Sequence, residues 1–74
     1  MAAAEERRLA LIRWMRERFP THSGLTASQI VDVSGIYDTG QGRYDRCFDD
    51  LLVLAKHNVV QRGLGRPATW RIHV

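Results

Sequence analysis

The chain has 74 residues, of which 45% are hydrophobic and 26% are charged, a composition too apolar for a disordered chain. A chain of this length forms a single domain, residues 1–74, and leaves no room for an enzyme of ordinary size. Eleven Lys or Arg residues against eight Asp or Glu give a net charge of +3, which suits a polyanionic partner without requiring one.

Cysteine content and apolar run length bear on the cellular compartment. The single cysteine, Cys47, cannot form a disulfide within the chain, and no segment reads as a secretory signal. We therefore expect an intracellular protein, cytoplasmic or nucleoid-associated, or nuclear in a eukaryote. The longest apolar run, Leu51–Ala55, is far shorter than the roughly 20 residues that cross a bilayer, so no membrane partner is expected.

Residues 2–19 are rich in helix formers and predict an amphipathic first helix, which Pro20 ends. Its apolar residues share one broad arc of a helical wheel: Leu9, Leu11, Ile12, Met15 and Phe19. Arg8 falls inside that arc and is expected beyond the edge of the core. The remaining arginines extend a binding surface or only keep the helix hydrated: Arg7, Arg13, Arg16 and Arg18.

A short connector and a short second helix follow. Residues 22–25 favour a brief strand at the edge of a sheet. The sequence Thr-Ala-Ser-Gln from Thr26 to Gln29 is a capping box, which starts a helix. Gly35 supplies a left-handed stop about two turns later, so this helix ends near Ser34.

The third helix is predicted to run from about residue 39 to residue 57. Asp38 and Gln41 repeat the capping-box spacing at its head, and Asn58 can take a left-handed stop. One buried stripe steps by three and four residues: Cys47, Leu51, Leu54 and Ala55. Three carboxylates are expected on or near an exposed face: Asp45, Asp49 and Asp50.

The C-terminal segment changes to an alternating pattern, which predicts two strands. Val59–Arg62 forms the first, and in the second the apolar residues alternate with polar ones. The alternating apolar residues are Ala68, Trp70, Ile72 and Val74. Residues 63–67 contain two glycines and a proline and therefore predict a reversing loop, so the chain ends in a β-hairpin with Trp70 in the core.

This order of elements resembles the winged helix-turn-helix superfamily over almost the whole chain. The stretch Leu51–Val60 is similar to the end of a recognition helix with its following strand, although Asn58 replaces the more usual glycine, and Pro67–Ile72 is similar to a second wing strand. The resemblance implies an α+β fold, a three-helix bundle with a C-terminal β-hairpin wing. The left-handed-DNA-binding subfamily is rejected, because Phe48 and Leu52 stand where it needs asparagine and tyrosine.

The resemblance also implies double-stranded DNA as the partner, as for a small transcriptional regulator or a phage-type DNA-binding protein. In winged helices the third helix, here about residues 39–57, enters the major groove, and the wing, about residues 62–68, meets the backbone. The implied contacts on the helix are Thr39, Gln41, Arg43 and Arg46, and those on the wing are Arg62, Arg66 and Arg71. Arg43 and Arg46 could instead be solvated charges paired with Asp49 or Asp50.

A second interpretation makes the domain a protein-interaction module. Tyr44, Phe48 and Leu52 share one stripe of the third helix, which either widens the core contact or presents an apolar patch to a protein. A homodimer or a larger assembly remains open. The sequence contains no nucleophile motif, phosphate loop, metal-ligand pairing or dinucleotide fingerprint, so we expect neither an enzyme nor a cofactor, metal or small-molecule substrate.

Overall fold

A computed structural model of the chain describes residues 3–18, 24–37 and 40–73. The described part is α+β, with three helices and a three-stranded antiparallel sheet. In chain order the elements are α1 (Ala3–Arg18), β1 (Leu25–Thr26), α2 (Ala27–Ser34), α3 (Arg43–Lys56), β2 (Val60–Arg62) and β3 (Thr69–Ile72). Several residues used in the sequence-based predictions lie outside the described residues: Phe19, Pro20, residues 22–23, Asp38, Thr39 and Val74.

Of the four predicted apolar residues of α1 that the structure describes, three are buried or half-buried and one is exposed. Leu11 and Met15 are fully buried and Ile12 is half-buried, but Leu9 is 57% exposed. Successive helix residues are about 100° apart, so Leu9 is turned about 160° away from Leu11. The prediction that Leu9 belongs to the buried arc is therefore wrong, because the contact with the core is narrower than the apolar arc.

The start and end of α2 follow the predicted local signals. The Thr26 hydroxyl accepts from the backbone N–H of Gln29 at 3.2 Å, and the Gln29 side chain accepts from the Thr26 N–H at 3.0 Å. This reciprocal pair confirms the capping box. Gly35 ends the helix with a φ of 72°, the left-handed conformation expected of it.

Helix α3 begins later than predicted, at Arg43 rather than at about residue 39. Gly40 and Gly42 have φ values of 70° and 80°, whereas a right-handed helix needs negative φ, so Gln41 lies in the preceding turn. The other end agrees with the prediction, because Asn58 takes a φ of 62° just after the helix.

The core side of α3 contains the predicted stripe and one residue that was not expected there. Cys47, Leu51 and Leu54 are buried, and Ala55 is half-buried. Asp50 is also fully buried, so its predicted place on an exposed face is wrong. It lies three residues after Cys47 and four before Leu54, which places it on the same side of the helix.

The sheet has the order β1-β3-β2, so the short first strand is an edge strand, but it comprises Leu25–Thr26 rather than the predicted residues 22–25, of which 22–23 lie outside the described residues. Strand β3 turns Trp70, which is 1% exposed, and Ile72 toward the helices. Across the hairpin, Arg62 pairs with Trp70 and Gln61 with Arg71. No helix within the described ranges is long and apolar enough to cross a membrane.

Candidate functional site

Positive charge is concentrated at the C-terminal end of the chain. The first fifty residues hold seven basic and eight acidic residues, whereas the last 24 hold four basic residues and no acidic one. Those four are Lys56, Arg62, Arg66 and Arg71. The β2–β3 hairpin and the end of α3 therefore carry the chain's net positive charge, and no carboxylate from their own segment weakens it.

Arg62 lies on the side of the hairpin that faces α3. Its register partner across the sheet is Trp70, and opposed residues of an antiparallel pair project to the same face. The guanidinium carbon lies 5.4 Å from the centroid of the Trp70 ring and 5.8 Å from that of Phe48. This cation–π contact holds an exposed arginine at the junction between the hairpin and α3.

Arg71 lies on the opposite face of the sheet from Arg62. Its Nε donates to the Gln61 side-chain oxygen at 3.2 Å, on the side turned away from the helices. The hairpin therefore divides these two arginines between its faces. A flat surface that covers α3 and the inner face of the hairpin reaches Arg62 but not Arg71.

Arg66 lies at the tip of the hairpin. Its side chain is exposed and has no hydrogen bond or ion pair to any residue that the structure describes. The neighbouring Leu64 is also fully exposed. Arg66 is consequently the arginine of the hairpin with the most freedom to reach a ligand.

Two further arginines lie at the start of α3. The Arg43 guanidinium carbon stands 5.1 Å from the centroid of the Tyr44 ring, and Nη1 of Arg46 donates to the backbone carbonyl of Gln41 at 3.3 Å. Gln41 itself is exposed in the turn before the helix. Three of the four predicted helix contacts thus lie together at one end of α3, and the fourth, Thr39, lies outside the described residues.

The solvent-facing side of α3 is more acidic than basic. Its exposed residues beyond Tyr44, here called the acidic ridge, are Asp45, Asp49, Leu52 and Lys56. Two carboxylates on this ridge repel phosphate groups, but a carboxylate can accept a hydrogen bond from the amino group of cytosine in the major groove. The ridge is therefore poorly suited to contact with a sugar-phosphate backbone.

The stripe of Tyr44, Phe48 and Leu52 does not form one patch. Phe48 is half-buried and packs edge-to-face on Trp70, with ring centroids 5.8 Å apart. The Tyr44 hydroxyl donates to Asp32 at 3.1 Å, which ties the start of α3 to α2. Tyr44 and Leu52 are each 40% exposed, so Phe48 widens the core and its neighbours remain accessible.

A buried carboxylate is the group that sequence reasoning missed. Asp50 accepts from Nε and Nη2 of Arg7 at 2.6 and 3.0 Å, from Nε of Arg8 at 3.1 Å and from the Tyr37 hydroxyl at 2.5 Å. Arg7 and Arg8 are therefore held by the core edge, which overturns the prediction that Arg7 belongs to a solvated or ligand-binding surface and that Arg8 lies beyond the core. The position of Asp50 within about 60° of Cys47 and Leu54 on the helical wheel was the available signal.

These contacts set the ionisation of the cluster. Burial pushes the pKa of Asp50 upward, but the hydrogen bonds from Arg7, Tyr37 and Arg8 outweigh it, so the pKa lies below its ordinary value. Burial, aided by the bond to Asp50, raises the pKa of Tyr37, which therefore stays protonated and donates. Both oxygens of the ionised Asp50 carboxylate already accept hydrogen bonds, so neither is available as a base. The cluster therefore has a structural role and links α1 to α3.

The Cys47 thiol lies in an environment that suppresses its reactivity. Burial raises the pKa of the Cys47 thiol to about 12, and its Sγ lies 3.9 Å from the Ala27 carbonyl oxygen. A thiol of this kind is a poor nucleophile. Among the residues that the structure covers, no three His, Cys, Asp or Glu side chains are grouped so that they could hold a metal ion.

The described residues thus form an α+β fold with a basic hairpin beside the solvent-facing side of α3. Comparison of the chain with protein-family models, with characterised proteins and with solved structures finds no match.

Proposed function

We propose that this chain is a winged helix domain that binds double-stranded DNA, with the β2–β3 hairpin against the phosphate backbone and α3 in the major groove. The observation that carries the proposal is the pair of exposed hairpin arginines on the α3 side and at the tip, Arg62 and Arg66, in a segment without Asp or Glu. Arginine suits phosphate because its planar fork donates parallel hydrogen bonds. A small transcriptional regulator or a phage-type DNA-binding protein, acting inside the cell, is the role that fits.

The relation between the hairpin and α3 favours a duplex over a single strand. Arg62 stands over Phe48 of α3, so one continuous surface joins the inner face of the hairpin to the helix. The 14 residues of α3 make a rod about 21 Å long, which the major groove of B-form DNA, about 12 Å wide, can admit. Neither Phe48 nor Trp70 is a free stacking platform, because they pack on each other.

The acidic ridge restricts how α3 can approach DNA. Asp45 and Asp49 must meet base edges rather than phosphates, while Gln41, Arg43 and Arg46 at the start of the helix supply donors to bases or to the backbone. We therefore assign most of the sequence-independent affinity to the hairpin. Sequence preference belongs to the start and the exposed ridge of α3.

The test is a fluorescence anisotropy titration of a mixed-sequence duplex at several salt concentrations. Binding should weaken steeply with salt, because each neutralised phosphate releases counterions. Arg66→Ala should lower affinity for all duplexes and reduce the slope of log K against log salt by about 0.9. Arg13→Ala removes another exposed arginine, from α1, and serves as the matched control, which should change neither quantity.

A protein-interaction module remains the second candidate, because Tyr44 and Leu52 are each 40% exposed on α3. On that reading the arginines only keep the surface hydrated. Flat anisotropy at low salt up to high protein concentration would rule out the DNA proposal. Loss of self-association or partner binding in a Leu52→Ser variant, with DNA affinity and salt slope unchanged, would support the interaction module as the function of this helix.

A further inference from the structure

An apolar groove lies between α1 and the C-terminal end of α3. Its apolar lining comes from Leu9, Ile12, Val53, Leu54 and Val59. Leu9, at its edge, is one of the most exposed large apolar side chains of the described residues. The groove lies outside the candidate DNA surface, since neither the hairpin arginines nor the start of α3 lines it.

Along α1, the exposed edge of this groove has a regular pattern. Glu5, Leu9, Ile12 and Arg16 are spaced by four, three and four residues, so they fall within about 60° of one another on the helix. The stripe has two aliphatic residues at its centre, a negative charge at one end and a positive charge at the other. Within the described part of the chain, neither Glu5 nor Arg16 forms an ion pair or a side-chain hydrogen bond.

We propose that a second copy of this chain docks on the α1 groove, with the two α1 helices antiparallel about a two-fold axis. If the axis passes midway between positions 10 and 11, Leu9 faces the partner subunit's Ile12 and Glu5 faces the partner subunit's Arg16. Measured along the helix, Leu9 and Ile12 each lie about 2 Å from the axis, and Glu5 and Arg16 each lie about 8 Å from it. The same contacts then form twice, as an isologous interface requires.

Charge complementarity is what selects a second copy over another occupant. A parallel pairing would put Glu5 against Glu5 and Arg16 against Arg16, which repel, whereas the antiparallel pairing matches opposite charges at both ends. The inserted Leu9 of each subunit loses its contact with water in the partner's groove, which lies open beside Val53 and Val59. Arg8 at the rim is already held by Asp50, so it does not compete for Glu5.

The interface that this geometry allows is small. Helix α1 is 16 residues long, about 24 Å, and a standard stable interface buries about 800 Å² on each partner. The area offered by one face of α1 and the adjoining end of α3 is smaller than this. The association is therefore reversible and depends on protein concentration, and it does not depend on the proposed DNA binding.

Sedimentation equilibrium of the intact chain, without DNA, tests the proposal over micromolar to millimolar concentrations. The wild-type chain should pass from monomer to dimer in this range, and Leu9→Ser should raise the dissociation constant at least tenfold. Val33→Ser is the matched control, because Val33 is 55% exposed against 57% for Leu9 and lies on α2, away from the groove. A chain that stays monomeric throughout, or equal effects of the two substitutions, would overturn the proposal.

Exchanging the charges of Glu5 and Arg16 distinguishes the proposed antiparallel interface from non-specific apolar association. Glu5→Arg and Arg16→Glu should each weaken the dimer several-fold, because each places like charges together twice. The double variant E5R/R16E should return the dissociation constant to within about threefold of wild type. Circular dichroism and thermal melting of each variant show that α1 still folds, and failure of the double variant to recover, with folding intact, would contradict the antiparallel pairing.

Discussion

Arg7 and Asp50 lie 43 positions apart in the sequence, and two hydrogen bonds of 2.6 and 3.0 Å join their side chains. The contact ties the first turns of α1 to the middle of α3 at a carboxylate that is fully buried. Tyr37, from the turn after α2, donates to the same carboxylate. One residue thus links three segments of the helical bundle, and no buried side-chain N or O atom within the described ranges lacks a partner.

Asp50→Asn should destabilise the fold at neutral pH by about 2 kcal/mol, because it removes the charge that Arg7 and Arg8 pair with but keeps one acceptor. The loss is held below that of a fully buried pair, since Arg7 and Arg8 retain side-chain exposures of 27% and 31% and can turn to water. Urea unfolding followed by circular dichroism measures it. Asp49→Asn changes the neighbouring exposed carboxylate and should stay within about 0.5 kcal/mol of wild type.

The same carboxylate should make stability depend on acid pH. The pKa of Asp50 is lower in the folded than in the unfolded chain, so the unfolded state takes up the proton first as the pH falls. Its stabilising contribution is complete above about pH 5 and is lost as the pH falls below about 4, through the folded-state value. The difference in unfolding free energy between wild type and Asp50→Asn should therefore shrink from pH 5 to pH 2. A difference that stays constant or grows would contradict the lowered pKa.

Gly63→Ala should destabilise the hairpin. An added Cβ would lie 2.5 Å from the Thr69 Oγ1, while the Gly63 N–H donates to the Thr69 carbonyl at 2.7 Å and holds the two strands close. We expect a cost of about 1–3 kcal/mol from this overpacking. Thr69→Ala in the same chain removes the obstructing atoms and should recover most of the loss in thermal melts. Equal melting temperatures for wild type and Gly63→Ala would show that the strands can separate at this point.

Substitutions in the hairpin and at the start of α3 should change DNA binding in different ways. Arg66→Ala should weaken specific and non-specific duplexes alike, because a phosphate contact carries no sequence information. Arg43→Ala or Arg46→Ala should instead reduce the ratio of specific to non-specific affinity, with a loss of about 1–3 kcal/mol on the preferred site if either side chain reads a base. Competition titrations with a selected and a scrambled duplex distinguish these outcomes. Arg71→Ala tests the face of the sheet away from α3 and should have the smaller effect on a duplex that contacts α3.

The Cys47 thiol should be unreactive in the folded protein. Burial raises its pKa to about 12, against about 8.5 for a free cysteine, so almost none of it is thiolate at pH 8. Reaction with a thiol reagent should be far slower than for the unfolded chain and should speed up in urea as the protein unfolds. Rapid labelling at pH 8 without denaturant would mean that the α2–α3 contact around Cys47 opens readily.

Local signals in the sequence predicted the ends of elements well. The Thr26 capping box, the Gly35 stop and the left-handed Asn58 depend on hydrogen bonds and φ angles within a few residues, so neighbours along the chain are enough to define them. The α3 start was misplaced for a local reason as well. Two glycines with positive φ, Gly40 and Gly42, outweighed a capping-box spacing that the prediction gave too much weight.

The candidate site was predictable only in its residue types. The sequence identified the hairpin arginines, but strand register decided that Arg62 faces α3 while Arg71 faces away. It also identified the stripe of Tyr44, Phe48 and Leu52, whereas the position of Trp70 decided that Phe48 packs inward. Whether such a side chain faces the core or solvent depends on the element that packs against it, and that element is distant in sequence.

The sequence by itself determined three helices, a hairpin and a C-terminal segment free of acidic residues, because periodicity, capping and charge are properties of short stretches. Only the tertiary structure decided that Asp50 is buried, that Arg7 and Arg8 neutralise it and that Leu9 remains exposed. A charge or an apolar side chain takes its role from whatever packs against it. For Asp50 those partners are Arg7 and Arg8 of α1, which lie more than forty residues earlier in the chain.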